Sequence, residues 1–136
     1  MRIASWNING LRARVGFLLL WLAERRPDVL ALQELKLEDG QFPRAELAAA
    51  GYEVLCHGQK SWNGVALVTR APAEAVQVGL PGQEALGARL LAARVGGVTA
   101  VSVYVPNGKS VGHEDFPRKL AWLDALADFV EEHRGE

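Results

Sequence analysis

A chain of 136 residues suits one domain, and a domain of that size buries about two-thirds of the surface its unfolded form exposes. With 49% hydrophobic and 23% charged residues the balance is that of a soluble globular protein, and a net charge of -1 excludes a general electrostatic pull toward nucleic acid, leaving any phosphate grip to a local patch. The single cysteine, Cys56, excludes an internal disulfide and suits a reducing compartment.

Arg2 to Trp6 reads as a first strand, running into Asn7-Ile8-Asn9-Gly10. No signal peptide is expected there, because a strand-like run follows Arg2. Leu11, Val15, Leu18, Leu19 and Leu22 recur at helical spacing, which predicts a helix over about 11–25, stopped by Pro27. Phe17, Leu20 and Trp21 widen that stripe beyond one face. The apolar run Val15 to Ala23 is too short to span a bilayer, so the chain is expected to be cytoplasmic. Asp28 to Gln33 is a second apolar strand, ending on Glu34. Pro43 opens a short helix and Gly51 lies just past its end.

Tyr52 to His57 alternates as a strand does, and Cys56 within it reads as inert packing. Gly58 to Asn63 is a polar loop carrying Lys60 and Trp62. Further strands are expected over 64–69, 75–79, 89–95 and 98–105, the last two joined by the turn Gly96-Gly97. Residues 80–87, with Pro81, Gly82 and Gly87, read as loop. A final helix is expected over about 116–133, capped by Asp115, with the stripe Phe116, Leu120, Leu123, Ala127 and Val130. His57, His113 and His133 lack metal-ligand spacing and read as structural or exposed. The fold class is α/β, a mixed β-sheet with flanking helices.

A strand, a crossover helix and a second strand bring two strand ends side by side in one sheet. Asn7 and Glu34 therefore meet at one rim. A carboxylate beside a carboxamide suits a hard cation such as Mg²⁺, which takes oxygen ligands and keeps several waters.

Trp6-Asn-Ile-Asn-Gly-Leu-Arg-Ala13 and Leu32-Gln-Glu-Leu-Lys36 resemble the opening of exodeoxyribonuclease III-type apurinic/apyrimidinic endonucleases, members of the endonuclease/exonuclease/phosphatase superfamily. Ser61-Trp-Asn-Gly-Val-Ala-Leu67 and Tyr104-Val-Pro-Asn-Gly108 agree in order. The resemblance covers essentially the whole chain but only about the first half of the family's domain. It implies half of a four-layer α/β-sandwich, in which this chain supplies one sheet and its covering helices. It also implies a Mg²⁺-dependent DNA-repair phosphodiesterase, with Mn²⁺ as a substitute ion, that cuts abasic duplex DNA 5′ to the lesion and trims 3′ ends.

By that resemblance Glu34 holds the metal, Asn7 bridges to it or its water shell, and Tyr104 contacts the scissile phosphate. Asn9, Arg12, Lys60, Ser61, Asn63 and Asn107 become candidate DNA contacts, while Trp62 either stacks near DNA or folds onto its own sheet. Leu35 departs from the threonine usual in the family, and Arg89 and Lys119 echo family positions without an assigned role. The family's Gly-Asp-x-Asn segment and its closing Asp-His pair have no counterpart, so residues 1–136 are expected to form an incomplete domain, inactive alone. One sheet face is then expected to be bare, or covered by the missing half or a second chain. Two other readings stay open: a non-catalytic DNA-binding or interaction fragment, and a superfamily phosphodiesterase or phosphatase with a different substrate.

Overall fold

Period-2 alternation decides how this chain stacks. A computed structural model describes residues 1–136 and contains two sheets. The first has strand order β1 (Ile3–Asn7), β2 (Val29–Gln33), β4 (Val65–Thr69), β3 (Glu53–His57). β1 and β2 run parallel, with Ile3 opposite Val29 and Asn7 opposite Gln33. Their connection is a short 3₁₀ turn at Arg12–Arg14 leading into helix α1 (Val15–Arg25). β3 and β4 are antiparallel to each other, and β4 is antiparallel to β2. Helix α2 (Arg44–Ala49) precedes β3.

Every residue of β2 and of β4 is buried, so both faces of these central strands need cover. Leu30, Leu32, Ala66 and Val68 point one way, onto Leu18 and Leu22 of α1 and Leu47 of α2. Val29, Ala31, Val65 and Leu67 point the other way, onto Leu91, Ala93 and Val95 of a second sheet. That sheet is the antiparallel meander β5 (Ala73–Val78), β6 (Leu90–Val95), β7 (Val98–Val103). Gly96 and Gly97 close its tight hairpin with φ of +53° and +85°, the double positive that a two-residue turn needs. Leu90 and Ala92 face outward again, onto Trp122 and Phe129 of helix α3 (Asp115–Glu132).

Four layers result, helix on sheet on sheet on helix. The expected α/β class and sandwich architecture are present, but the expectation of one sheet with a bare face is overturned. The same chain supplies the second sheet, because its 65–69 and 90–95 strands are too apolar to leave either face in water. Large apolar exposure survives instead along α1 and edge strand β1, where Ile3, Phe17 and Leu20 are 58%, 62% and 71% exposed. Trp6 lies there against Phe17 and Trp21, with ring centroids 5.7 and 6.0 Å away.

α3 corrects two further details. Its buried side is Trp122 and Phe129, with Leu123, Ala125 and Leu126 half-buried, while Leu120, Ala127 and Val130 of the expected stripe are exposed. The indole is the largest fully buried side chain of the protein, and its burial sets the rotation of the helix. Asp115 is the first helical residue rather than the cap, and its carboxylate takes Lys109 Nζ at 2.6 Å and Arg118 Nη1 at 2.9 Å. No helix is long and apolar enough to cross a membrane.

Candidate active site

Beyond its last ladder residues the β1–β2 pair continues through backbone bonds: Ile8 N to Gln33 O, Gly10 N to Glu34 O and Leu11 N to Leu35 O, at 3.0, 2.8 and 3.0 Å. Leu35 and Lys36 in turn donate their amides to Gly64 O and Asn63 O. Three chain segments are thus tied together past the strand ends. Asn9, Glu34, Lys36, Ser61 and Asn63 all adopt positive φ, between 47° and 68°. Left-handed backbone at five non-glycine residues is strained, and such strain gathers where surrounding structure holds side chains for use.

Glu34 stands at the centre. Asn7 Nδ2 donates to its Oε1 at 3.0 Å, so the two strand ends meet as the βαβ topology requires. Asn7 Oδ1 accepts from the Asn9 amide at 3.1 Å, which fixes the carboxamide with its nitrogen, not its oxygen, toward Glu34. The Tyr104 phenol, just past β7, lies close enough to Glu34 to help lower its carboxyl. Lys36 Nζ lies 3.7 Å from the second carboxylate oxygen and donates to Asn9 Oδ1 at 2.6 Å. The Asn7 hydrogen bond, outweighing the cost of burial, holds the Glu34 carboxyl below its usual range. Burial first, then the nearby Glu34 carboxylate, pushes the Tyr104 phenol up.

Beneath Glu34, the buried Gln33 side chain locks the two sheets together. Its Nε2 reaches Ser102 Oγ on β7 at 3.3 Å and Ser5 Oγ on β1 at 3.1 Å, while Ser102 Oγ donates to Leu32 O at 2.9 Å. The Gln-Glu pair therefore joins a stacking pin to a surface carboxylate in adjacent residues.

The remaining expected residues divide by whether their polar atoms are free. Arg12, Lys60 and Ser61 are exposed, and no side-chain partner engages them. Asn63 instead donates to Gln59 Oε1 at 3.0 Å, and Asn107 Oδ1 accepts the Lys109 amide at 2.7 Å. Asn9 Oδ1 is occupied by Lys36. Trp62 is 70% exposed and does not fold onto its own sheet. Cys56 is half-buried, with Arg44 Nη2 3.0 Å from its sulfur, and burial pushes its thiol up to about 11.

Sequence reasoning missed Lys36, which partners Glu34, and Gln59, whose Oε1 gathers Asn63 Nδ2 and the Ala88 amide at 2.7 Å. The Gln-Glu-Leu-Lys run held the signal for Lys36, since two left-handed residues bracketing Leu35 turn both side chains the same way.

As a metal site, Glu34 is one ionised oxygen ligand, while Asn7 turns its nitrogen to Glu34 and its Oδ1 to the Asn9 amide. No group of three or more His, Cys, Asp or Glu side chains could hold an ion. Such a donor set fits Mg²⁺, which binds through one or two carboxylates and retains water, and does not fit zinc.

Fold and rim together define a four-layer α/β sandwich that presents a carboxylate, an amide and a phenol at one end of its stacked sheets. The chain belongs to the Endonuclease/Exonuclease/phosphatase family, whose model matches residues 4–135. It is 36% identical over 137 residues to exodeoxyribonuclease III of Haemophilus influenzae, covering 96% of this chain and 51% of that protein. Among solved structures it matches an AP endonuclease from Archaeoglobus fulgidus at TM-score 0.92 and 35% identity, over 97% of this chain and 51% of that one. It also matches a 3′ phosphatase from Neisseria bound to a product DNA hairpin, at TM-score 0.93 and 40% identity, over 97% and 52%. The chain spans about half the length of the curated relatives it matches.

Proposed function

We propose that this chain supplies the metal-holding and phosphate-gripping rim of a DNA-repair phosphodiesterase of the exodeoxyribonuclease III type, which cuts abasic duplex DNA 5′ to the lesion and trims 3′ ends. The observation that carries this reading is the Glu34 carboxylate, kept ionised between the Asn7 amide and the Tyr104 phenol.

Glu34 would hold Mg²⁺, with water filling most of its shell; the ion would relieve charge on the phosphate and favour hydroxide over water. Asn7 orients Glu34 through its nitrogen. Tyr104, with its phenol pushed up, stays protonated at neutral pH and acts as a hydrogen-bond donor to a phosphate oxygen rather than as a base. Exposed Arg12, Lys60 and Ser61 would hold flanking phosphates, with the Asn9, Asn63 and Asn107 segments shaping the same surface. Such contacts position a duplex without reading its sequence, which a lesion enzyme requires. An abasic nucleotide lacks a stacked base, so its extrusion costs least, and that difference would supply lesion preference.

Water activation needs groups that these residues do not contain, because Glu34 has no second acid at hydrogen-bonding distance. The 136 residues alone should therefore be inactive, with activity depending on protein outside them.

Two measurements test this. Mn²⁺ titrated into the labelled chain should broaden amide signals first around Asn7, Glu34 and Tyr104, an effect lost in Glu34→Gln; broadening centred elsewhere would sink the metal assignment. Incubated with abasic duplex and Mg²⁺, the chain should cleave negligibly; turnover abolished by Glu34→Ala would overturn the dependence on outside residues.

A further inference from the structure

Arg89 is a half-buried cation with no carboxylate within ion-pair distance. Taking a guanidinium out of water without a counter-charge is costly, so its other contacts must hold it there. They are few and directional. Nε donates to Leu86 O at 2.7 Å, Nη1 approaches Tyr104 O at 3.4 Å, and the guanidinium carbon lies 5.0 Å from the Tyr104 ring centroid. The Tyr104 amide answers by donating to Arg89 O at 2.8 Å.

That geometry bears on where the Tyr104 hydroxyl goes. Tyr104 lies one residue past the end of β7, opposite Arg89, which lies one residue before β6. The Leu90–Val103 pair is the last cross-strand register, so the ladder itself leaves the Tyr104 side chain free to choose among its rotamers. One rotamer sets the ring under the Arg89 guanidinium, with the phenol on the Glu34 side of the rim. A planar cation fixed over the ring face favours that rotamer, and a cation–π contact of this kind corresponds to a preference of roughly fivefold to thirtyfold when partly desolvated. Only a planar fork can lie over the ring while its Nε remains bonded to Leu86 O; a lysine ammonium is a point donor that cannot do both.

We infer that Arg89 is a positioning residue: clamped to Leu86 O, its guanidinium holds the Tyr104 ring so that the phenol stays on the Glu34 side of the rim. The inference rests on the proposed reading of Tyr104 as the group beside the phosphate. Its geometric content is independent of DNA and metal, so the two can fail separately.

The test uses the labelled 136-residue chain with no metal or DNA. Three-bond couplings from backbone nitrogen and carbonyl carbon to tyrosine Cγ report the χ1 populations of the two tyrosines, Tyr52 and Tyr104. Tyr52, whose hydroxyl donates to Pro27 O at 2.9 Å, is the internal control. In the wild-type chain Tyr104 should show one rotamer and nuclear Overhauser contacts from its ring to the Arg89 side chain. In Arg89→Lys, which keeps the charge, and Arg89→Met, which keeps the length, Tyr104 should average over rotamers while Tyr52 stays fixed. A single Tyr104 rotamer in both variants would overturn the inference, as would the absence of the wild-type contacts. Averaging of Tyr52 as well would make Arg89 a folding residue and overturn it equally.

Discussion

Replacing Asn7 by alanine isolates the contact that holds Glu34. The wild-type amide gives one hydrogen bond to the carboxylate at 3.0 Å and takes another from the Asn9 amide at 3.1 Å. A hydrogen bond to a charged acceptor contributes about 1.5–3 kcal/mol, and because Asn7 is exposed at the rim water competes for it, so Asn7→Ala should cost less than that range, about 1 kcal/mol at pH 7. The sign with pH follows from the lowered Glu34 carboxyl. A group depressed on folding contributes stability above its unfolded value, here the ordinary 4.5, and loses it as pH falls through the folded value. The difference between wild type and Asn7→Ala should therefore be full at pH 7 and shrink toward pH 3. Urea unfolding at both pH values reads it, and in a Glu34→Gln background the pH dependence of the difference should vanish. An unchanged difference between pH 7 and pH 3 would show that Asn7 acts through the Asn9 turn alone and would refute the coupling to Glu34.

Trp122 is fully buried between α3 and the second sheet, so Trp122→Ala should cost about 3–5 kcal/mol, read as a fall in the urea midpoint. Gly87 has φ of +93°, and a Cβ there would lie 2.4 Å from both Asn63 Nδ2 and Gln59 Oε1, so Gly87→Ala should lower Tm and release the loop before Gly64; an unchanged Tm would contradict that packing. The Cys56 thiol, pushed up to about 11, should hold roughly a thousandth of its population as thiolate at pH 8. Disulfide reagents should therefore modify it slowly in the folded chain and much faster in urea. Tyr52→Phe removes a buried hydrogen bond to Pro27 O and should cost about 1 kcal/mol by thermal unfolding.

The local elements were legible because they rest on short-range chemistry. Periodic leucines mark α1, double-positive φ at Gly96-Gly97 makes the hairpin, and a strand–helix–strand unit with parallel pairing places Asn7 beside Glu34 whatever follows. The tertiary structure alone decided which apolar face met which. β6 and β7 read equally well as more of the first sheet or as a second one, and only the demand of β2 and β4 for cover on both faces stacks them as a separate layer. The rotation of α3 was likewise settled by Trp122 finding space under the second sheet, which leaves Leu120, Ala127 and Val130 of the expected stripe in solvent. At the rim, residue types announced a carboxylate and its amide neighbour. The nitrogen-first orientation of Asn7 comes from the Asn9 amide two residues on, whereas the guanidinium over Tyr104 depends on a contact between segments distant in sequence, which no local pattern encodes.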